Sequence, residues 1–93
     1  MSKKVQIDLL VGAIRDYQGG QMPLGVLVDK VEGVLDTFQD RAIKDNFFDA
    51  RLALEEVYAR MQEENFDFHR YGKPVVDRAL KEMLTKADLM QAR

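Results

Sequence analysis

The 93-residue sequence contains no cysteine and no tryptophan, one histidine (His69) and one serine (Ser2). Without cysteine the chain has no disulfide framework, no thiol nucleophile and no thiolate zinc site. Because Ser2 and His69 lie far apart in the chain, no serine–histidine nucleophile pair is expected. No glycine-rich loop follows a strand-like stretch either. We therefore expect a protein that is not an enzyme and carries no cofactor.

Paired glutamates, Glu55–Glu56 and Glu63–Glu64, raise the question of a metal site. Helical bundles bind metals through inward-facing glutamates, usually with a Glu-x-x-His pair. No glutamate stands three residues before His69, and the four carboxylates lie off the apolar stripe of their helix. The pattern favours exposed glutamates and predicts no metal site.

Long apolar runs are also missing. The start, MSKKVQIDLL, is interrupted by Asp8, which argues against a signal peptide. No stretch approaches the roughly 20 apolar residues that span a bilayer. With 46% hydrophobic and 32% charged residues, the composition predicts one soluble globular domain over residues 1–93 with no membrane partner.

Four stretches have apolar residues at helical spacing, separated by glycine and proline. They cover Val5–Gln18, Pro23–Gln39, Ala42–Glu64 and a final helix opening at Pro74, with Leu89–Arg93 expected to fray. Gly19-Gly20 is expected to end the first helix, and Asp40-Arg41 to separate the second from the third. Because the connections are short, neighbouring helices should be antiparallel. The predicted fold is all-α, an antiparallel bundle of four main helices.

The third stretch, Ala42–Glu64, is the longest and has no glycine or proline. Its apolar stripe includes Leu54, which we expect in the core. Phe48 and Leu52 lie beside this stripe and widen it, which predicts contacts with neighbours on more than one flank. In the second stretch, Gly25 is interpreted as merely tolerated near a helix start.

An aromatic-rich loop, Asn65–Lys73, precedes the last helix. Phe66 and Phe68 are expected to fold back over the end of the bundle. Tyr71 is left as either a further cap or an exposed anchor for a partner, since aromatic residues dominate interface hot spots.

Acidic residues are concentrated in the middle of the chain. Residues 29–67 hold eleven acidic and five basic residues, a net charge of −6 within a chain of −2. One acidic line follows the second helix and an outer row follows the third, and the two rows merge if the helices are suitably rotated. The predicted partner-binding residues are Asp29, Glu32, Asp36, Asp40, Asp45, Asp49 and Glu56, together with Tyr71. A merely solvated face is the competing interpretation.

An acidic surface repels phosphate backbones and favours basic partners. The most basic helix is the last, where Arg78, Lys81 and Lys86 alternate with Asp77, Glu82 and Asp88. Nucleic-acid affinity requires a concentrated basic face. We therefore expect no nucleic-acid partner.

The order of motifs resembles a known family. A helix ending in a glycine turn precedes MPLGVLVDKVEGVLD (residues 22–36), and a phenylalanine pair precedes LEEVYARM (residues 54–61). This order is similar to small α-helical immunity proteins that bacteria encode beside polymorphic or contact-dependent toxins. The family usually has tryptophan before the Leu-Glu pair, which this chain lacks.

The resemblance implies a cytoplasmic protein that binds one cognate toxin domain, often a basic nuclease, and neutralises it without chemistry. The pattern of residues agrees with this resemblance in predicting a small helical scaffold with an acidic face. We expect the protein to be a monomer or a weak homodimer. The competing hypothesis is a small helical adaptor or a DNA-binding transcriptional regulator.

Overall fold

The structure is a computed structural model that describes residues 2–91. It is all-α, as the spacing of apolar residues predicts. Five α-helices follow in order: α1 (Lys3–Gln18), α2 (Leu24–Asp36), α3 (Arg41–Asn46), α4 (Phe48–Arg60) and α5 (Lys73–Gln91). A single π-helical turn, Phe68–Gly72, leads directly into α5. Four of the helices are long, and these described residues form no strand.

The four long helices surround one apolar core. α1 packs against α2 and α5, and α4 packs against the same two helices. The largest fully buried side chains come from every long helix and from the junction of α3 and α4: Ile7, Leu10, Ile14, Leu27, Val31, Leu35, Phe47, Leu54, Val76, Leu80 and Met83. Leu54 is thus in the core, as predicted.

Side chains and glycines set the helix ends. Ser2 caps α1 by accepting a hydrogen bond from the Val5 amide, so α1 begins two residues before the predicted start. Gly20 adopts a left-handed backbone (φ 78°) immediately after α1, which confirms the predicted stop. The Asp40 carboxylate caps α3 through the Ala42 amide at 2.9 Å.

The predicted second helix is too long. α2 ends at Asp36, and residues 37–40 form a turn before α3. The Thr37 hydroxyl donates to the Val34 carbonyl at 2.6 Å and accepts from the Gln6 amide group at 2.8 Å, which ties the end of α2 to α1. Phe38 then turns into the core.

The prediction of one helix over residues 42–64 is wrong. The helix breaks at Phe47, whose backbone (φ −101°, ψ 0°) both ends α3 and begins α4. α4 ends at Arg60, and residues 61–67 form turns. Burial of Phe47 fixes this corner, since its side chain is fully enclosed while its neighbour Phe48 is 55% exposed.

The aromatic segment is not a plain loop, because residues 68–72 coil into the π-helical turn. Phe66 and Phe68 pack on the core, as predicted. Gly72 is buried, and a Cβ there would lie 2.7 Å from the Phe68 ring and 3.0 Å from a Val57 methyl, so only glycine fits. Residues 89–91 are helical rather than frayed, whereas Ala92 and Arg93 lie outside the described residues.

Candidate functional site: an acidic face on α2 and α4

The charged residues of α2 and α4 meet across an antiparallel helix pair. Arg51 of α4 contacts the Asp36 carboxylate of α2 at 3.4 Å and the Glu55 carboxylate of its own helix at 3.1 Å. Farther along the pair, the Tyr58 ring lies over Gly25. From Arg51 to Tyr58 the residue numbers rise along α4, while the contacted residues of α2 fall from Asp36 to Gly25, so the two helices are antiparallel. The same contacts determine which side of α4 faces α2.

Gly25 packs closely against Tyr58, a contact that the interpretation of Gly25 as merely tolerated did not include. A Cβ at this position would lie 2.9 Å from the ring and hydroxyl of Tyr58. At Gly33, by contrast, an added Cβ would meet nothing within 4 Å. The two glycines of α2 therefore have different roles, which their positions in the sequence do not reveal.

A carboxyl pair joins the two helices between these points. A hydrogen bond shared with Glu55, and then burial, raise the pKa of Glu32 above its ordinary value. The same hydrogen bond, and contact with Arg51, lower the pKa of Glu55. The Arg51 guanidinium, 3.1 Å from the Glu55 carboxylate, stabilises the ionised form of Glu55.

The acidic residues of α2 and α4 approach each other through the predicted Glu32 and Asp36 on α2, but through Glu55 instead of Asp49 or Glu56 on α4. Glu32 and Asp36 of α2 meet Arg51 and Glu55 of α4. Asp49 and Glu56 lie on the outer side of α4 and are exposed, as is Asp29 on α2. We use the term acidic face for the exposed or half-buried carboxylates on these two helices: Asp29, Glu32, Asp36, Asp49, Glu55 and Glu56.

The other predicted binding residues lie outside this face. Asp40 is occupied as the cap of α3, and Asp45 is exposed on that short helix. Tyr71 is exposed on the π-helical turn, with the Arg70 guanidinium 5.3 Å from its ring centre. Tyr71 therefore lies next to the start of α5, outside the α2–α4 surface.

Two large apolar side chains occupy the acidic face. Phe48 is 55% exposed and Leu52 is 39% exposed. α4 does contact neighbours on two flanks, α2 and α5, as the wide stripe predicted. Because residues four apart on a helix are neighbours, the two side chains form one apolar patch. We call them the α4 apolar pair.

Carboxylates flank this pair on both sides. At about 100° per residue, Glu55 lies between the pair and α2, whereas Asp49 and Glu56 lie beyond it. The sequence signal was present, since Phe47 and Phe48 cannot both point into the core from one helix. Which of the two turns inward depends on the break at Phe47.

Two further ion pairs lie within α5. On α5, Lys73 contacts Asp77 at 2.7 Å and Lys86 contacts Glu82 at 3.0 Å. Residues 2–91 contain no group of three or more histidine, aspartate or glutamate side chains arranged to hold a metal ion. None of the helices in this span combines the length and apolar character that crossing a bilayer requires.

Comparison with known proteins gives no relative. No family model, no curated protein and no solved structure matches this chain.

Proposed function

We propose that this protein is an immunity protein that binds a cognate basic toxin domain through the acidic face and neutralises it without chemistry. The α4 apolar pair is the observation that carries the proposal. Two large apolar side chains exposed side by side and flanked by carboxylates have the composition of an interface, with an apolar centre and a polar rim. A helix face that contacts only water gains no stability from two exposed apolar side chains.

Charge and shape support a basic partner. α2 and α4 together hold six carboxylates and three basic side chains, which is half of the net charge of −6 of residues 29–67. Carboxylates at the rim steer a positively charged protein toward the surface and raise the association rate, while the apolar pair contributes the affinity once water is excluded. A nuclease toxin, whose phosphate-binding cleft is basic, is the kind of partner that such a face would cover.

The scaffold suits a protein that acts by binding. In our proposal the four long helices form an antiparallel bundle in the cytoplasm and hold the face rigid, so little conformational entropy is lost on association. A general helical adaptor is the alternative. It would use the same face but would not protect cells from a toxin.

Co-expression tests the proposal. The proposal expects a large toxin gene beside the gene of this chain. The C-terminal domain of that neighbour is induced in a bacterial host, with or without this chain, and growth is measured. Wild type should restore growth. The Phe48→Ala and Leu52→Ala double variant should lose protection, because loss of two central anchors weakens binding by roughly 2–4 kcal/mol, or thirty-fold to nearly a thousand-fold.

Leu89→Ala is the matched control. Leu89 is an exposed leucine on α5, outside the acidic face, so its variant should protect as well as wild type. The proposal fails if wild type gives no protection. It also fails if the double variant, shown by circular dichroism to be folded, protects fully.

A further inference from the structure

A second surface lies on the other side of α2, along its contact with α1. A groove of about 450 Å³ runs between the two helices on the outside of the molecule. Gly12 of α1 and Gly33 of α2 both line it. A Cβ on either glycine would meet nothing within 4 Å, so the chain's own side chains leave the groove open.

Large apolar side chains flank this opening. Leu9 is 48% exposed, and Val5 and Val26 are also exposed. The hydrogen bond from Gln6 to Thr37 sets the register of the antiparallel helices. Counting from it, Leu9 lies level with Gly33 and Val34. A protruding leucine on one helix thus lies beside an open glycine position on the other.

The two walls of the groove carry opposite charges. Asp8 and Asp16 line it from α1, and Lys30 lines it from α2. Among the ion pairs found within residues 2–91, none involves Asp16 or Lys30. Asp8 accepts a hydrogen bond from the Gln91 side chain at 2.7 Å, so Asp16 on one wall and Lys30 on the other are the charges that can pair with an external partner.

We propose that this groove binds the same groove of a second copy of the chain. A two-fold axis along the groove places α1 of each copy opposite α2 of the other. Leu9 of each copy then fills the space over Gly33 of the other, and Asp16 of each faces Lys30 of the other. The interface is isologous, so each favourable contact occurs twice.

Charge and shape select a second copy over an unrelated helix. A uniformly charged partner helix would be attracted by one wall and repelled by the other, whereas the two-fold arrangement pairs acid with base at both ends. The proposal is independent of the toxin partner, because Glu32, Asp36 and the α4 apolar pair lie on the other flank of α2 and remain uncovered.

The footprint predicts a weak dimer. α1 has 16 residues and is about 24 Å long, and two packed helices are about 20 Å wide. This footprint, about 480 Å² on each copy and about 960 Å² in total, lies just below the roughly 1,200 Å² at which stable specific interfaces begin and is the size of weak, transient ones. We therefore expect Kd in the range of about 10–200 μM, with tightening at low salt through the two Asp16–Lys30 pairs.

Sedimentation velocity between about 5 and 500 μM tests the proposal. Wild type should shift from one chain to two across this range. Leu9→Lys should raise Kd by more than about tenfold, and Gly33→Leu should do the same while leaving the fold intact, because the new side chain blocks the partner's leucine. Leu89→Lys, the same change at an exposed leucine on α5, should leave Kd within about twofold.

Charge exchange gives a second test. Asp16→Lys and Lys30→Asp should each weaken the dimer about fivefold, and the double variant should recover most of the loss, because the exchanged pair restores attraction. The proposal is overturned by a chain that stays monomeric up to about 500 μM. It is also overturned by a dimer that Leu9→Lys leaves unchanged, or by a double variant weaker than both single ones.

Discussion

Glu32 is the residue at which the contact between α2 and α4 depends on protonation. Its pKa is raised by Glu55 and then by burial, so the folded state holds the Glu32 proton more tightly than the unfolded chain does. The resulting stabilisation is complete below the ordinary value of 4.5 and is lost as pH rises through the folded pKa. Glu55 acts in the opposite sense, because its pKa is lowered and its contribution is lost on acidification.

Glu32→Gln should therefore stabilise the protein at pH 7. The amide keeps a donor for the Glu55 carboxylate and removes the repulsion between two ionised groups. We expect a gain of about 0.5 kcal/mol, or about 2–4 °C in Tm, at pH 7, which disappears below about pH 4.5 where wild-type Glu32 is protonated. Thermal unfolding followed by circular dichroism between pH 3.5 and 8 measures it.

Glu56→Gln is the control for this prediction. It removes one carboxylate from an exposed position on the outer side of the same helix, so its effect should not follow the pH dependence of Glu32→Gln. A Glu32→Gln variant that is less stable than wild type at pH 7 would show that the carboxyl pair is net favourable when both groups are ionised.

The glycines of α2 allow a matched pair of substitutions. Gly33→Ala should stabilise by about 0.5–1 kcal/mol, because alanine favours the helix and the site is open. Gly25→Ala should give no gain, because its methyl group displaces the Tyr58 ring. Urea unfolding at low micromolar concentration, where association is negligible, measures both.

A double-mutant cycle isolates the Tyr58 contact. In a Tyr58→Ala background the clash at position 25 is absent, so Gly25→Ala should become neutral or stabilising. If Gly25→Ala is equally unfavourable in both backgrounds, the requirement for glycine comes from the backbone near the start of α2 instead of from the tyrosine ring.

At the level of single helices, the junction between α3 and α4 decides which phenylalanine is structural. Phe47→Ala should destabilise by about 3–5 kcal/mol, because it empties a fully enclosed position. Phe48→Ala should cost less than about 0.5 kcal/mol, because this side chain is mostly in water. Urea unfolding of the two neighbours, with the same atoms removed from each, is the measurement.

Similar losses at the two positions would contradict the break at Phe47, since both rings would then be buried. The reverse ranking would place Phe48 in the core and remove the apolar centre from the proposed binding face. Either result would therefore bear on the proposed function as well as on the fold.

The sequence predicted most of the helices because periodicity and local stop signals agree there. Gly19-Gly20 and Asp40 act on their own neighbours, so their effects are readable without a structure. The break at Phe47 has no such signal, because residues 42–64 contain no glycine or proline and the apolar spacing continues across it. Only burial of the Phe47 ring against the rest of the core selects the corner.

The end of α4 is a partial exception. After Met61 the residues Gln62, Glu63, Glu64 and Asn65 offer nothing apolar to hold a further turn, so an earlier stop was readable. The return of Phe66 and Phe68 to the core was predicted as well. The close packing around Gly72 was not, because it brings together Val57, Phe66 and Phe68 from separate parts of the chain.

For the whole molecule, the charge pattern likewise divides into a part that the sequence predicts and a part that depends on contacts between helices. The sequence established how acidic residues 29–67 are, and spacing placed Asp29, Glu32 and Asp36 on one flank of α2. The rotation of α4 was not available from spacing, because it depends on Tyr58 fitting over Gly25 and on Arg51 reaching Asp36. That rotation brings Glu55, and not Asp49 or Glu56, to the boundary with α2.

Placement of charge, and not its total, should govern association with a basic toxin domain. Reversing Asp29 and Asp49 to lysine changes the net charge by +4 on the acidic face. Reversing Asp77 and Asp88 makes the same change on α5, where both residues are exposed. Stopped-flow association at low salt should slow by about tenfold or more for the first variant and by less than about threefold for the second, because steering depends on the local field.

Salt provides the independent check on that difference. Exposed charges are screened beyond about 8 Å at physiological ionic strength, so the two variants and wild type should converge as salt is raised toward 1 M. Dissociation rates should change little, since rim charges act mainly during approach while Phe48 and Leu52 hold the complex together. Equal slowing by both variants would mean that the association rate depends only on the total charge of the chain. That result would contradict the proposal that the acidic face is the binding surface.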